Sequence, residues 1–330
     1  MLTGVENVFE TVKGGHPDRF VNQYGYLAIM YSDPVSVNAR CDLKPGQTGY
    51  NGWGVKICWP EGNPGGFPMS EGENKLLKDV CDWRETLKAP RTKFTDEEWA
   101  PCLAEAEKID KNEQFVTAYV ECGIFEKLHY FMGMEDALMN FYEEPEEMHA
   151  LIDFLADWEI ECAKETISHL HPKALFHHDD WGSQRSTFMS VEMFEEFIEP
   201  AYKKIYKFWK DNGVELIVHH SDSYAATLVP SMIRVGIDVW QGAVYENNIP
   251  ELIKQYGGQI SIMAGLDNGK YDTKDWSHEK IRQGLVDFFE TAGTKYVIPC
   301  FTMGGPGSAF PGAYEAATEE IDALSKVYFK

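Results

Sequence analysis

The chain has 330 residues and carries 53 acidic against 30 basic side chains, a formal net charge of -23. That balance excludes a protein that tracks nucleic-acid phosphates or an anionic membrane, and the length allows one large buried core. Seven cysteines, an odd number with no CxxC pair, exclude a disulfide framework or zinc ribbon and point to a reducing cytoplasm.

The N-terminal stretch has no basic start followed by an apolar core, and no run approaches the roughly 18 uninterrupted apolar residues of a membrane span. Residues 1–19 predict a short amphipathic helix with Val5, Val8, Phe9 and Val12 on one stripe, stopped by Gly14-Gly15. FVNQYGYLAIMYSDP then reads as a strand ending at Pro34. From Cys41 to Ser70 the chain is rich in Gly, Pro and Trp, which predicts a short strand, WGVKICW, between long loops. Such loops form lids or pocket walls, or else a packed cap.

A helix is expected over Glu73–Leu87, and Thr95 is a good N-cap for another. Beyond residue 114 the pattern is regular. FVTAYVECG (115–123) is a strand, FEKLHYFMG and MEDALMNFYEE are helical, and Pro145 opens a long helix whose Met148, Leu151, Leu155 and Trp158 belong to the core. ALFHHDDWG (174–182) is a strand; Ser190 caps a helix closed by Gly213; VELIVHHSDS (214–223) is the next strand. Helices then alternate with the strands IDVWQG, ISIMAGLD and KYVIPCFTMGG, and a final helix starts at Ala313. With the two early candidates this makes eight strands. The fold class is α/β, a (β/α)8 TIM barrel in one domain over 1–330, with 1–114 holding an N-terminal extension and lid-like loops.

In such barrels the active site lies where strands end. Those ends are Glu121-Cys122, His178-Asp179-Asp180, His220-Asp222, Gln241, Asp267 and Cys300, nearly all polar and expected at one mouth. Side chains alternate along a strand, so His220 and Asp222 share a face, His219 is on the other, and only one of His177 and His178 reaches the pocket. Walker, GxGxxG, GxSxG and HExxH motifs are missing. Imidazole, carboxylate and one thiol suit a divalent transition metal such as zinc, held by His220, a carboxylate and Cys300; Cys300 on its own fits an inert buried thiol better than a ligand or nucleophile. Without metal, Asp179, Asp180 and Asp222 suit general acid–base work with the histidines. Trp53, Trp59, Trp181, Tyr224 and Trp240 are candidate walls for a flat substrate ring.

The ordered segments DRFVNQYGY, GWGVKICW, CGIFEKLHYFMGMEDALMNFYEEPEEM, DDWGSQRSTFMSVEMFEEFIEPAYKKI, HSDS, GIDVWQ and YVIPCFTMGG resemble the uroporphyrinogen decarboxylase superfamily over nearly the whole chain. The resemblance implies a (β/α)8 barrel that is either a porphyrinogen decarboxylase or a corrinoid-dependent methyltransferase. The decarboxylases carry an Arg-Gln-Ala-Gly-Arg signature that grips substrate carboxylates; here Asn22-Gln23-Tyr24-Gly25-Tyr26 stands instead, without either guanidinium. Thiol-methylating members carry His-x-Cys and a distant Cys, whereas this chain has His220-Ser221-Asp222 and Cys300.

The HSDS form is more similar to methyltransferases that demethylate aryl methyl ethers. A zinc pattern of those members, Glu-x14-Glu-x20-His, falls on Gln184, Glu199 and His220. The resemblance therefore implies zinc on His220, Glu199, Gln184 and Cys300, with Asp180, Asp222 and His178 as catalytic groups at the ether oxygen. It implies a small methoxylated aromatic as methyl donor and cobalamin on a separate corrinoid protein as acceptor, since this chain has one barrel's length and no Asp-x-His-x-x-Gly motif. A homodimer is compatible with it.

Overall fold

The computed structural model describes residues 1–63, 65–302 and 304–330. Its strands in chain order are β1 (Leu27–Ile29), β2 (Thr48–Tyr50), β3 (Lys56–Cys58), β4 (Phe67–Pro68), β5 (Phe115–Val120), β6 (Ala174–His178), β7 (Leu216–Ser223), β8 (Val239–Ala243), β9 (Ser261–Gly265) and β10 (Val297–Cys300). Seven of them, β1 and β5 to β10, form one parallel sheet in chain order, with helices in the connections. Strands that pair in chain order through helical crossovers give the (β/α)8 TIM-barrel type of architecture.

The count differs from expectation by one. WGVKICW is not a barrel strand: Lys56–Cys58 pairs antiparallel with Thr48–Tyr50 and with Phe67–Pro68 in a separate three-stranded sheet. A tight turn is the cause. Asn51 Oδ1 accepts the N–H groups of Trp53 and Val55, and Gly54 adopts φ +88 and donates to Asn51 O, so the chain folds straight back on β2.

β1 is also shorter than FVNQYGYLAIMY suggests, because Gln23–Tyr26 coils into a 3-10 turn. Gln23, at φ 50, donates through Nε2 to Tyr314 O and Thr318 Oγ1 and accepts the Phe301 N–H on Oε1. It thus ties the end of β10 to the last helix, Ala313–Tyr328, at the seam where no backbone ladder joins β10 to β1 among the described residues. Over 73–87 only two 3-10 turns and the helix Trp83–Thr86 form, since the Leu77 N–H is drawn away to Phe131 O.

The remaining helices follow their sequence signals. Gly4–Val12 starts from a Thr3/Glu6 capping box and lays Val8 against the barrel bottom, and Asp96–Ala106 starts from a Thr95/Glu98 box. Pro145–Leu170 buries Met148, Leu151, Leu155 and Trp158 as its stripe requires. Ser190 caps Val191–Met193, which runs through a π-turn, Phe194–Ile198, into Glu199–Asp211. The π-turn lies just ahead of Pro200, which has no N–H to give and needs a wider turn before it.

The core has two layers. One fills the barrel with Phe115, Phe176, Leu216, Val218, Met263 and Ile298; the other lies between sheet and helices and includes the fully buried Trp99, Trp181 and Trp240. Among the described residues no helix is long and apolar enough to cross a membrane.

Candidate metal and substrate site

β6 and β7 run side by side with His177 opposite His219 and His178 opposite His220. The pleat sends the first pair outward and the second into the mouth, as period two demands. Outside, His177 Nε2 lies 3.1 Å from Glu159 Oε2. His219 Nε2 donates to Asp179 O at 3.2 Å, which leaves Nδ1 to accept from Tyr206 OH at 2.6 Å. Burial, followed by the neighbouring imidazoles, holds the His219 pKa far below its ordinary value. Both outer rings are therefore structural.

Inside, the rings of His178 and His220 are 4.4 Å apart and nearly perpendicular. His220 Nδ1 donates to Oε1 of Gln241, its neighbour on β8, which fixes the tautomer and leaves the Nε2 lone pair directed at Asp180 Oδ1, 3.8 Å away. Burial and then His178 push the His220 pKa down to about 4, so this ring is neutral and a competent ligand at neutral pH.

His178 behaves oppositely. Burial would lower its pKa, but Glu126 at 3.9 Å and Asp180 at 3.8 Å outweigh that and raise it to about 10. Asp180, although buried, is held well below the carboxylate range by His178, by His220 and by the Asp222 N–H that donates to it. The pocket floor thus draws positive charge. The donor atoms of His178, Asp180 and His220 all lie within 4.8 Å of one another. Two imidazoles and a carboxylate with one side open to a cavity fit a zinc ion with an exchangeable position.

Two more carboxyls face the same space. Asp222 is pushed up to about 6 by burial and by Asp180, and its Oδ1 is buried without a partner. Glu126 is raised far above its ordinary value, first by burial, and its Oε2 is also buried and partnerless. Sequence reasoning missed Glu126 because the strand-end survey stopped at Glu121-Cys122; the signal available was GIFE, a glycine and a carboxylate opening the next helix.

Asp179, expected among the acid–base groups, is a cap. Its carboxylate accepts the N–H groups of Phe125 and Glu126 at the start of the helix Ile124–Met132, together with Trp181 Nε1 and Tyr202 OH. Three donors crowd Oδ2 and one binds Oδ1, which commits this carboxylate to capping, and they fix the backbone that carries Glu126. Gly123 makes this approach possible, since a Cβ there would lie 2.3 Å from Asp179 Cβ and from Tyr202 OH. Gly123→Ala is expected to cost about 1–3 kcal/mol of stability in urea denaturation; an unchanged midpoint would show that the cap tolerates displacement.

Of the metal ligands implied by the family pattern, only His220 is in the cluster. Glu199 lies outside the barrel, where Arg234 Nε and Nη2 bind its carboxylate at 2.9 and 2.7 Å. Cys300 packs inside the barrel, its thiol donating to Thr302 O at 3.3 Å and pushed up to about 12 by burial. Gln184 lines the cavity without being one of the clustered donors.

The cavity above the cluster has a volume of about 740 Å³. Its aromatic walls include Tyr24, Tyr31, Tyr119, Tyr130, Phe176 and Phe188, and no Arg or Lys lines it among the described residues. The expected tryptophan walls lie elsewhere: Trp181 is fully buried against His219, and Trp240 is fully buried with Nε1 on Ser221 O. Tyr224 is half-buried and does not line the cavity, while Trp53 and Trp59 line an adjoining one.

The family model described as uroporphyrinogen decarboxylase (URO-D) matches residues 106–283. No curated protein sequence matches the chain. Among solved structures, a methyltransferase from Methanosarcina mazei superposes with a TM-score of 0.65 at 12% identity, covering 98% of this chain and 99% of that one. An α-amylase from Geobacillus thermoleovorans in complex with acarbose (TM-score 0.37, 9% identity, 77% of this chain and 65% of that one) and a D-psicose 3-epimerase with D-fructose (0.38, 14%, 76% and 87%) match more loosely. At these identities the likeness is one of fold.

Proposed function

The chain belongs to the uroporphyrinogen decarboxylase (URO-D) family, and from that premise we propose that it is a corrinoid-dependent methyltransferase. In this reading it moves a methyl group from a small methoxylated aromatic to the cob(I)alamin of a separate corrinoid protein.

One observation carries the reading: a His178–Asp180–His220 donor cluster lies at the floor of an aromatic cavity that no Arg or Lys lines among the described residues. A porphyrinogen presents several carboxylate arms and requires cations to receive them, so this cavity is unsuited to it. A flat aromatic ring suits it well. The structural neighbour from Methanosarcina mazei, called a methyltransferase, supports the same branch.

An aryl oxide is a poor leaving group, and charge develops on the ether oxygen as the methyl–oxygen bond breaks. His178, Asp180 and His220 would hold a zinc ion, which would supply Lewis acidity for that charge. Gln241 keeps the His220 tautomer, the aromatic walls orient the ring and exclude water, and the buried Oδ1 of Asp222 is placed to bond a ring hydroxyl or hold a proton. The nucleophile comes from the partner, so the chain need not provide one.

The test mixes the protein with a reduced corrinoid protein and a panel of methyl donors and follows the cobalt(I) absorbance. Loss of the cobalt(I) spectrum with aryl methyl ethers is expected. No change with any of them, or carbon dioxide released from a porphyrinogen without corrinoid, would replace this reading.

A further inference from the structure

Past His220 the ladder between β7 and β8 loses its register. His220 pairs with Gln241 and Ser223 with Ala243, so Ser221 and Asp222 together face the single residue Gly242. A bulge of this kind leaves a residue unpaired and re-aims side chains beside a site. Gly242 is required there, because it adopts φ +93 and a Cβ on it would lie 2.9 Å from Ser221 O. On the other flank β6 ends at His178, and the Asp222 N–H donates to Asp180 Oδ1 at 2.6 Å, which leaves Asp180 Oδ2 to face His178 at 3.8 Å.

Side chains hold the bulge where the ladder does not. Ser221, fully buried, accepts the Trp181 N–H on Oγ at 3.0 Å, and that Oγ lies 2.7 Å from Ser223 Oγ. One hydroxyl thus joins the residue after Asp180 to the residue after His220. From β8, Trp240 Nε1 donates to Ser221 O at 3.1 Å. Asn247, also buried, anchors the far end: its Oδ1 accepts the N–H groups of Ala225 and Ala226, and its Nδ2 donates to Ser223 O and Val244 O, all at 2.9 Å. Those four bonds use the whole capacity of the amide and pin the bulge to the loop after β8. Neither Ser221 nor Asn247 lines the cavity or belongs to the donor cluster.

We propose that Ser221 and Asn247 are positioning residues that fix the spacing of Asp180 and His220 and so set the affinity of the His178–Asp180–His220 cluster for zinc. This rests on the metal reading given under Proposed function. The pairing of β6 with β7 fixes His178 against His220 and continues to Asp179, whose N–H donates to His220 O at 3.1 Å. Asp180 lies past that last backbone bond. Its carboxylate is placed by the Asp222 N–H and by the Ser221–Trp181 bond, and both move with the bulge that Asn247 anchors. Partners that orient a metal ligand typically change metal affinity by roughly 10- to 100-fold. Ser221 and Asn247 act through one more link of backbone, which puts them at the lower end.

Zinc titration of the metal-free protein in competition with a zinc-binding dye, without corrinoid or methyl donor, tests this. Ser221→Ala and Asn247→Ala are each expected to weaken zinc by roughly 10-fold. The visible bands of the cobalt(II)-loaded variants, which report donor geometry, are expected to shift. Asn7→Ala is the control: Asn7 is buried in the helix Gly4–Val12 at the barrel bottom, where it donates to Arg19 O and accepts the Asp18 N–H, so its loss should lower the urea midpoint and leave zinc affinity unchanged. Should Asn247→Ala not fold, Ser221→Ala, which removes a single hydroxyl, carries the same test. Unchanged zinc affinity in either folded variant, an equal loss in Asn7→Ala, or no zinc binding by the unaltered protein would each overturn the proposal. Zinc weakened as expected with no methyl transfer from any aryl ether would refute the parent reading and retain both positioning roles.

Discussion

Replacing His220 with alanine is expected to remove bound zinc and to lower methyl transfer by at least about 1,000-fold, the largest functional effect of any single change in the site. His220 is the one clustered donor whose ring is neutral, whose tautomer is fixed by a neighbouring side chain and whose Nε2 faces both Asp180 and the cavity. A ligand so placed contributes much of the affinity of a three-donor site, and its orienting partner typically matters 10- to 100-fold in its own right. Gln241→Ala should therefore reduce zinc affinity by about that smaller factor. Elemental analysis and activity measured on the same preparations check both. Full zinc content in His220→Ala would remove this residue from the ligand set. The fold should survive, because the alanine removes one hydrogen bond at the rim of the core, about 1–3 kcal/mol.

Lys127→Met is expected to be the most destabilising change outside the site, by about 3–5 kcal/mol at neutral pH. Lys127 and Glu159 form an ion pair in which both side chains are about 95% or more buried, and Glu159 also holds His177. Burial would raise the Glu159 carboxyl, but Lys127 and then His177 outweigh it and bring it down to about 2. A folded-state pKa depressed below the ordinary 4.5 contributes stability that is fully present above about pH 4.5 and is lost as the pH falls through 2.

The variant reverses the sign. Without Lys127 the buried carboxylate is uncompensated and prefers to be protonated, so the penalty should shrink as the solution is acidified toward pH 4. Urea denaturation of both proteins at pH 7 and pH 4 measures it. A difference below about 1 kcal/mol at pH 7 would mean that water or another cation compensates Glu159.

The sequence displayed the frame of this site more clearly than its contents. Alternation along VELIVHHSDS and ALFHHDD separates His178 and His220 from His177 and His219, because period two follows from the backbone alone. Asp179 and Asp180 could not be ranked that way. They follow the strand end, where direction is decided by what lies opposite, and the free N–H groups of Phe125 and Glu126, more than fifty residues away in the chain, capture the first of them.

Glu199 shows the limit of motif spacing. It occupies the expected position relative to His220, yet Arg234 on the next helix claims it. The strand WGVKICW illustrates the same limit for topology: its apolar residues predict extension, while the partner is chosen by the Asn51–Val55 turn. Glu126, on the helix Ile124–Met132, and Gln241, set opposite His220 by the sheet register, become meaningful only once the fold brings them beside His178 and His220.

The most direct test of the account uses a methoxybenzoate whose methyl group is deuterated and whose ether oxygen is labelled with heavy oxygen. After a single turnover with the reduced corrinoid protein, mass spectrometry should find all three deuterons on the corrinoid and the heavy oxygen retained in the phenol product. That outcome requires the methyl–oxygen bond to break with the methyl group intact. Loss of deuterium, loss of the heavy oxygen from the ring, or a corrinoid left unmethylated would contradict methyl transfer by this site.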